Sequence, residues 1–328
     1  MKGSWIMQSG AVQRVTNSRH IKKSKWILKE IIRSKALFLL MLPGMLVLLV
    51  NNYIPMIGTI IAFKELNLVK GLFGSPWNHF KNFEFLFKSP DLPIIIRNTL
   101  CYNAVFIVLT PVFAITLAVV LNELRNNVLA KFYQSFMFLP NFLSWVVVGY
   151  LGYAFMGPES GFINISILQP LGLHTVDWYA DARFWPFVLP LGYLWKHIGY
   201  NCVIYLAAIS SIDTQYYEAA IIDGATKRQQ ITGITVPMLR PMVTVLTILA
   251  VGSMFRSEFG LFYQLPMNSG LLNNVTNVVD TYVYRALLLS NDYTMSSAAG
   301  LLQSVFGFIL VLGANLAVKK INEEDSLF

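Results

Sequence analysis

A bilayer's hydrocarbon core takes about 20 apolar residues of helix, and somewhat more when the helix tilts. This chain supplies such a run six times, at roughly 36–63, 94–121, 132–156, 185–211, 241–264 and 297–318. Nothing else in the sequence limits the possible folds so sharply. A backbone in lipid must satisfy its own hydrogen bonds, so runs of this length become helices. Composition agrees: 13% of the 328 residues are charged, against about a quarter in soluble domains. The expected fold class is therefore an all-α polytopic membrane protein with six transmembrane helices. Pro43, Pro55, Pro111, Pro140 and Pro190 fall inside the runs, and each removes a helix hydrogen bond, so kinks are expected there. The two halves show no inverted repeat, which disfavours the common plans of secondary transporters.

Lysine and arginine set the orientation. Nine of them precede the first run, and others lie in the 122–131 loop, the 212–240 loop and the tail, sixteen in all. The alternate loops hold six: Lys64, Lys70, Lys81, Lys88, Arg183 and Arg285. By the positive-inside rule both termini are cytoplasmic (N-in, C-in). The net charge of +8 thus reads as a topology signal, and nucleic acid is not an expected partner. Residues 1–35 form a basic cytoplasmic segment. Within it, 20–35 spaces Trp26, Ile27, Ile31 and Ile32 among lysines, which suits a helix lying on anionic membrane lipids or a plain extension of the first span. Residues 36–320 make the membrane domain, and 321–328 a short cytoplasmic tail. No cleavable signal is expected, so the first run stays as a span. Cys101 and Cys202 fall in apolar runs without metal-ligand spacing, and neither a disulfide nor a metal site is expected.

The loop richest in information is 212–240, between the fourth and fifth runs. It contains "YYEAAIIDGATKRQQITGITVPMLRP", Tyr216 to Pro241. Tyr217 to Asp223 favours helix, with Ala219 and Ala220 leaving one face open to close approach. Gly224 supplies the left-handed turn that ends a helix, Thr226 can cap the next one, and Pro237 and Pro241 mark entry to the following run. Such a projecting helical hairpin is shaped to sit in a partner's groove.

Glu218-Ala219-Ala220, Gly224 six residues after the glutamate, Ala225, and then Ile234 and Pro237 resemble the "EAA…G…I-x-L-P" signature of binding-protein-dependent ABC importer permeases. Val236 replaces the usual leucine. The stretches "NTLCYNAVF", "LPNFLSWVVVGY" and "VVDTYVYRALL" extend the resemblance over 36–320, toward carbohydrate importers, the maltose type included, and within them toward the subgroup moving oligosaccharides and polysaccharide fragments. The resemblance implies the permease fold with cytoplasmic coupling helices in a multi-pass protein of the bacterial inner membrane. It assigns Glu218, Ala219, Ala220, Asp223, Gly224, Ala225, Ile234 and Pro237 to contact with an ATPase. It further implies a second related permease (a heterodimer in the wider sugar family), two ATPase subunits that use ATP and Mg, and an extracytoplasmic solute-binding protein.

The chain lacks a Gly-Lys dipeptide, so it has no P-loop. It is expected to be no enzyme itself and to bind no cofactor. Ionisable residues inside spans are costly and face cavities or partners. Lys196, His197, Arg256 and Glu258 lie in the fourth and fifth runs, and Arg97 opens the second. Tyr193, Trp195, Tyr200, Asn201, Tyr263 and Gln264 add aromatic faces and hydrogen-bonding edges of the kind that bind sugars. The expected substrate path therefore holds Tyr193, Trp195, Lys196, Tyr200, Asn201, Arg256, Glu258 and Tyr263. Pairing among these residues, snorkelling and belt positions are the bland alternatives. The excess of Lys196 and Arg256 over Glu258 would suit an acidic saccharide. In the first outer loop, Trp77, Phe80, Phe83, Phe85 and Phe87 suit an interfacial belt or a packed loop more than sugar stacking. Among other classes, an ion-coupled secondary sugar transporter needs mid-membrane carboxylates, of which Glu258 is the single example. A membrane enzyme needs catalytic pairs that are missing, since Asp177 and Asp181 read as a solvated loop. A scaffold would not need the 212–240 loop.

Overall fold

A computed structural model describes residues 33–124 and 126–321. The interfacial helix expected around 20–35 falls almost wholly outside the described residues, as does the tail after 321. Among the described residues the secondary structure is helical, with one isolated bridge pair, Lys64 and Trp77. The chain divides into two compact units, 1–60 and 61–328.

The first unit carries α1, Lys35–Leu48, which continues through a widened turn, Leu49–Tyr53, and a short stretch, Ile54–Met56. With the tighter turn Ile57–Phe63 it forms a helix of 29 residues, apolar enough to cross a bilayer. The widened turn lies immediately before Pro55. There the N–H of Ile54 reaches Leu49 O, one residue beyond the usual α-helical partner, next to the residue that has no N–H to donate. Pro43, by contrast, sits inside uninterrupted helix.

In the second unit, α2 is Lys81–Lys88 and α3 is the 31-residue Leu92–Asn122. Then come α4, Asn127–Phe138, α5, Trp145–Met156, and α6, the 26-residue Trp185–Ser210. The loop helices α7, Thr214–Ile222, and α8, Lys227–Gln230, follow. After them come α9, Arg240–Gly252, α10, Phe259–Gln264, α11, Val279–Ser290, and α12, Tyr293–Ile321. Pro111 and Pro190 lie within α3 and α6 without ending them.

Two of the apolar runs are broken. The run 132–156 bends by 100° between its halves: Leu139–Phe142 tightens into a 3-10 turn around Pro140, Leu143 is extended, and Ser144 accepts from Val147 N to cap α5. The run 241–264 is helical to Gly252, opens over 253–258 and resumes as α10. Pro140 marks the first break as the kink expected there, whereas the opening at 253–258 carries no proline and apolar composition does not show it.

The helices α3 and α6 run together through the centre. Around their first halves Tyr102, Phe106, Trp185 and Leu189 pack with Val148 of α5 and with Leu261 and Phe262 of α10. Toward their other ends Ala114, Ala118 and Leu121 meet Cys202, Tyr205 and Ile209. Small residues one turn apart let membrane helices approach closely. Gly199 takes this furthest, since a Cβ there would lie 2.0 Å from Met137 O of α4. Large apolar side chains elsewhere on these helices are exposed, among them Phe187 and Leu191, as expected where the solvent is lipid.

The loops sort into two ends. At one, Tyr282 Oη donates to Ser89 Oγ at 3.0 Å, Arg97 Nη2 donates to Asn274 O at 2.9 Å, and Ser269 Oγ donates to Tyr179 O at 2.9 Å. At the other, Lys227 Nζ lies 3.2 Å from Glu123 Oε2.

Candidate functional site

The 212–240 loop is a helical hairpin with every bend chemically specified. Asp213 caps α7 by accepting from Gln215 N at 3.0 Å. The helix ends where Gly224 adopts φ +77°, with Gly224 N donating to Ile221 O and Ala225 N to Ala220 O at 2.8 Å. That is the glycine-terminated end the sequence predicts. Thr226 then opens α8 with a reciprocal capping box: Gln229 N donates to Thr226 Oγ1 at 3.4 Å, and Thr226 N to Gln229 Oε1 at 2.8 Å. A widened turn, Ile231–Thr235, precedes Pro237 as another precedes Pro55, and carries Ile234.

The two arms are tied together. Tyr217 Oη and Thr235 Oγ1 are 2.9 Å apart, and Gln230 Nε2 donates to Ala225 O at 3.1 Å. Between these ties the crest is open: Tyr216 is 54% exposed, Ile221 59% and Ile222 86%, and Glu218, Ala219, Asp223 and Gly224 are exposed beside them. The chain thus holds rigid a crest of apolar side chains that it does not itself cover.

The residues expected along a substrate path divide into groups. Lys196, His197 and Glu258 converge on Trp145, which sequence reasoning passed over as one apolar residue among many. The Trp145 indole N–H donates to Glu258 Oε1 at 2.6 Å. The Lys196 ammonium lies 5.4 Å from the Trp145 ring centre, and the His197 ring 6.1 Å away. Lys196 is 6% exposed and donates to three carbonyls at the broken helix: Pro140 O at 3.4 Å, Asn141 O at 3.0 Å, and Leu143 O. Its charge serves carbonyls exposed by the break, one of which, Pro140 O, also accepts from Leu143 N at 3.1 Å.

Tyr193 stacks flat on Phe106, ring centres 3.9 Å apart. With Asn201 it lines a cavity of about 130 Å³, together with Asn103, Thr110, Thr247 and Ser253. Asn201 Nδ2 donates to His197 O at 3.0 Å. Buried Thr110 Oγ1 and His197 Nε2 have no hydrogen-bond partner among the described residues. Trp195 and Tyr200 are exposed on α6. Arg256 is exposed, 3.5 Å from Ser304 Oγ, and Tyr263 packs against Phe259 and Tyr284. Arg97 turns instead to Asn98 and Asn274. Asp280, also unforeseen, accepts from Ser257 N at 2.6 Å and pins the opening between α9 and α10 to α11.

Known proteins resemble this chain over most of its length. Residues 110–323 match the family described as binding-protein-dependent transport system inner membrane component. Among curated relatives, the chain is 35% identical to Protein LplB of Bacillus subtilis (strain 168), over 89% of this chain and 91% of that one. It is 34% identical to the polygalacturonan/rhamnogalacturonan transport system permease protein YteP of the same organism, over 92% and 94% of the two chains. Among solved structures, it superposes with a TM-score of 0.81 and 31% identity on a chain of a bacterial ABC transporter involved in the import of the acidic polysaccharide alginate, covering 90% of this chain and 99% of that one. A second structure, of a bacterial alginate ABC transporter in complex with alginate pentasaccharide-bound periplasmic protein, gives 0.79, also at 31% identity, over 89% of this chain and 97% of that one. The match takes in the hairpin, the broken fifth run and the last helix, and identity above 30% extends over nearly the whole length, so the chain belongs to the family of binding-protein-dependent transport system inner membrane components.

Proposed function

We propose that this chain is one permease subunit of an ATP-driven importer of oligosaccharides or polysaccharide fragments. It crosses the inner membrane six times with both termini in the cytoplasm, the broken runs 132–156 and 241–264 each counting as one span. The contact between Lys227 and Glu123 supports that topology, because it joins two loops assigned to the cytoplasm.

The observation that carries the reading is the hairpin crest. Apolar Tyr216, Ile221 and Ile222 are exposed on a loop too polar at its base to lie in lipid, with Lys227, Arg228 and Gln229 exposed beside them. A rigid, uncovered helix of this kind fits a groove in a partner. Here the partner is an ATPase subunit, one of two that bind ATP and Mg. Closure of the ATPase pair moves α7 and α8 as a body and swings the spans. Gly224 and Pro237 fix the two ends of the lever, and Glu218, Ala219, Ala220, Asp223, Ala225 and Ile234 shape the surfaces between.

The substrate passes between this chain and a second, related permease, to which an extracytoplasmic solute-binding protein delivers it. The cavity beside Tyr193 and Asn201, about 130 Å³, falls below the roughly 300–1,000 Å³ of enclosed ligand sites. That shortfall supports a path completed by a partner. Tyr193, Trp195, Tyr200, Asn201, Arg256 and Tyr263 line this chain's side, with Lys196 and Glu258 bracing it from beneath. The names of the relatives, polygalacturonan and alginate among them, support an acidic saccharide, and exposed Arg256 is the cation placed to meet it.

Co-expression with candidate ATPase, second-permease and binding-protein genes, followed by reconstitution in nanodiscs, tests the reading. Saccharide-loaded binding protein should stimulate ATP hydrolysis, and Ile222→Asp should abolish the stimulation. ATPase subunits that never co-purify with the chain, or stimulation untouched by Ile222→Asp, would overturn it.

A further inference from the structure

The segment 64–88, between the first and second apolar runs, buries Lys64 and Ser75 while large apolar side chains stand exposed beside Glu65, Lys70, His79, Lys81, Glu84 and Lys88. Lys64 is 4% exposed. Its ammonium donates to Leu72 O at 2.9 Å and Phe73 O at 3.0 Å and lies 5.0 Å from the Trp77 ring centre. Ser75 Oγ donates to Gly71 O at 2.7 Å and accepts from Asn67 N. Asn82 Nδ2 donates to Ala62 O and Lys64 O, both at 2.9 Å. Outside this polar knot stand Val69, 96% exposed, Phe73, 79%, Leu68, 75%, and Phe80, 71%. A water-facing loop does not leave so many large apolar side chains bare while burying a lysine.

The depth of the segment follows from its neighbours. Phe83 of α2 packs with Ala298, Leu301 and Leu302 of α12. Leu302 lies nine residues into that membrane-crossing helix, about 13 Å from its start at 1.5 Å per residue. A groove between the two helices is lined by Phe80, Phe83, Phe87 and Leu302, with Glu84 and Lys88 at its rim. It therefore opens beside apolar membrane helix. Lys70 and Lys81 are exposed, and a lysine stem can lie along acyl chains while its ammonium reaches phosphate.

We propose that residues 64–88 form a lipid anchor, inserted into the leaflet on their side of the membrane, with phospholipid acyl chains covering Val69 and Phe73 and filling the Phe80–Phe87–Leu302 groove. A protein partner on this face would leave these residues in water until it bound, whereas insertion places them in hydrocarbon from the start. The inference needs only that the chain spans a membrane. It is independent of the importer reading, because depth depends neither on the direction of insertion nor on an ATPase.

Spin labels test it in the full chain, reconstituted in phosphatidylcholine–phosphatidylglycerol nanodiscs. Val69→Cys, Phe73→Cys and Phe87→Cys are made singly on a Cys101→Ser, Cys202→Ala background, with Glu159→Cys as the aqueous control. These label sites are all exposed, so labelling leaves the packing undisturbed. The expected result is collision with oxygen and loss of broadening by a water-soluble nickel chelate at all three positions, with full nickel broadening at 159. Nickel broadening equal to the control at any of the three would overturn the anchor.

Discussion

Trp145 donates its indole N–H to Glu258 Oε1 at 2.6 Å, joining residues 113 apart in the chain. The bond links the two places where apolar runs lose their helix, since Trp145 opens α5 just after the 139–144 break and Glu258 closes the 253–258 opening. Each break frees backbone groups, and a charged or polar side chain attends each one: Lys196 at the first and Asp280 at the second. The broken runs are thus held by polar side chains, two of them joined across the runs by the Trp145–Glu258 bond, in surroundings where an unpaired group is expensive.

Removing the indole donor should therefore cost more than its packing. Trp145→Phe leaves the partly buried Glu258 carboxylate short of a strong donor, a loss of about 2 kcal/mol. Glu258→Gln keeps an acceptor and should cost much less. Thermal unfolding of the purified chain in detergent gives the order, and a double-mutant cycle should show coupling between the two positions. Additive effects would mean that the bond does not form.

At Gly224 the cost is purely conformational. Its φ is +77° while the space a Cβ would enter is empty, so substitution strains the backbone without a clash. Gly224→Val should weaken ATPase subunit binding or uncouple it, Gly224→Ala less so, and Gly224→Asn least, because asparagine tolerates the left-handed region. Equal stimulated hydrolysis in the three variants would show that the turn does not position the crest.

Gly199 reverses that logic. Its backbone is ordinary helix, but an added methyl would sit 2.0 Å from Met137 O, so Gly199→Ala must push α6 away from α4. Overpacking of this kind costs about 1–3 kcal/mol. Gly300→Ala, with nothing within 4 Å, is the matched control and should be neutral or slightly stabilising, since alanine favours helix. Comparison of the two variants' unfolding midpoints in one detergent separates close approach from helix propensity.

The larger features of the fold were legible because they follow from solvent and periodicity. Apolar runs gave the membrane class, Gly224 and Thr226 gave the hairpin's turn and cap, and Pro55 and Pro140 marked stretches of irregular helix. At Pro140 the sequence predicts a kink and the fold bends by 100°; the extent of that break and the opening at 253–258 were not legible. Pro140 and the Arg256–Glu258 stretch mark both places as irregular in composition, but the groups that hold them, Lys196 and Asp280, are distant in sequence. Lys196, Glu258 and His197 were identifiable as unusual from their cost in lipid. Their meeting point, Trp145, carried no signal, because tryptophan in an apolar run is ordinary. Only the fold shows which of many aromatic rings stands between a cation and a carboxylate.

Outside the membrane helices, the Asp181 carboxyl accepts from the Arg183 side chain at 2.5 Å and from its backbone N–H. These bonds hold its pKa down at about 2. For an acid whose folded pKa is depressed, the stabilisation is present above the unfolded value, near 4, and is lost as pH falls through the folded value. The pair is exposed, so the effect on stability is small. A carboxyl carbon titration of labelled aspartate should show one midpoint near 2, moving up in Arg183→Gln. An unmoved midpoint would mean the pair does not persist in solution.

Lys196 offers the sharpest separation of bracing from substrate contact. Its ammonium is spent on Pro140, Asn141 and Leu143 carbonyls, so its loss should be felt with no saccharide present. Lys196→Met keeps the length and apolar stem but leaves the Asn141 and Leu143 carbonyls without the ammonium donor, while Pro140 O keeps Leu143 N, at a cost of about 2 kcal/mol. Arg256→Gln, at an exposed side chain, should leave stability within about 0.5 kcal/mol yet reduce uptake of acidic saccharides more than neutral ones of equal length. Unfolding midpoints measured without ligand, followed by transport assays with matched acidic and neutral oligomers, distinguish the two roles. If Lys196→Met unfolds like the parent chain and fails only in transport, the lysine faces the path and the break is held by other means.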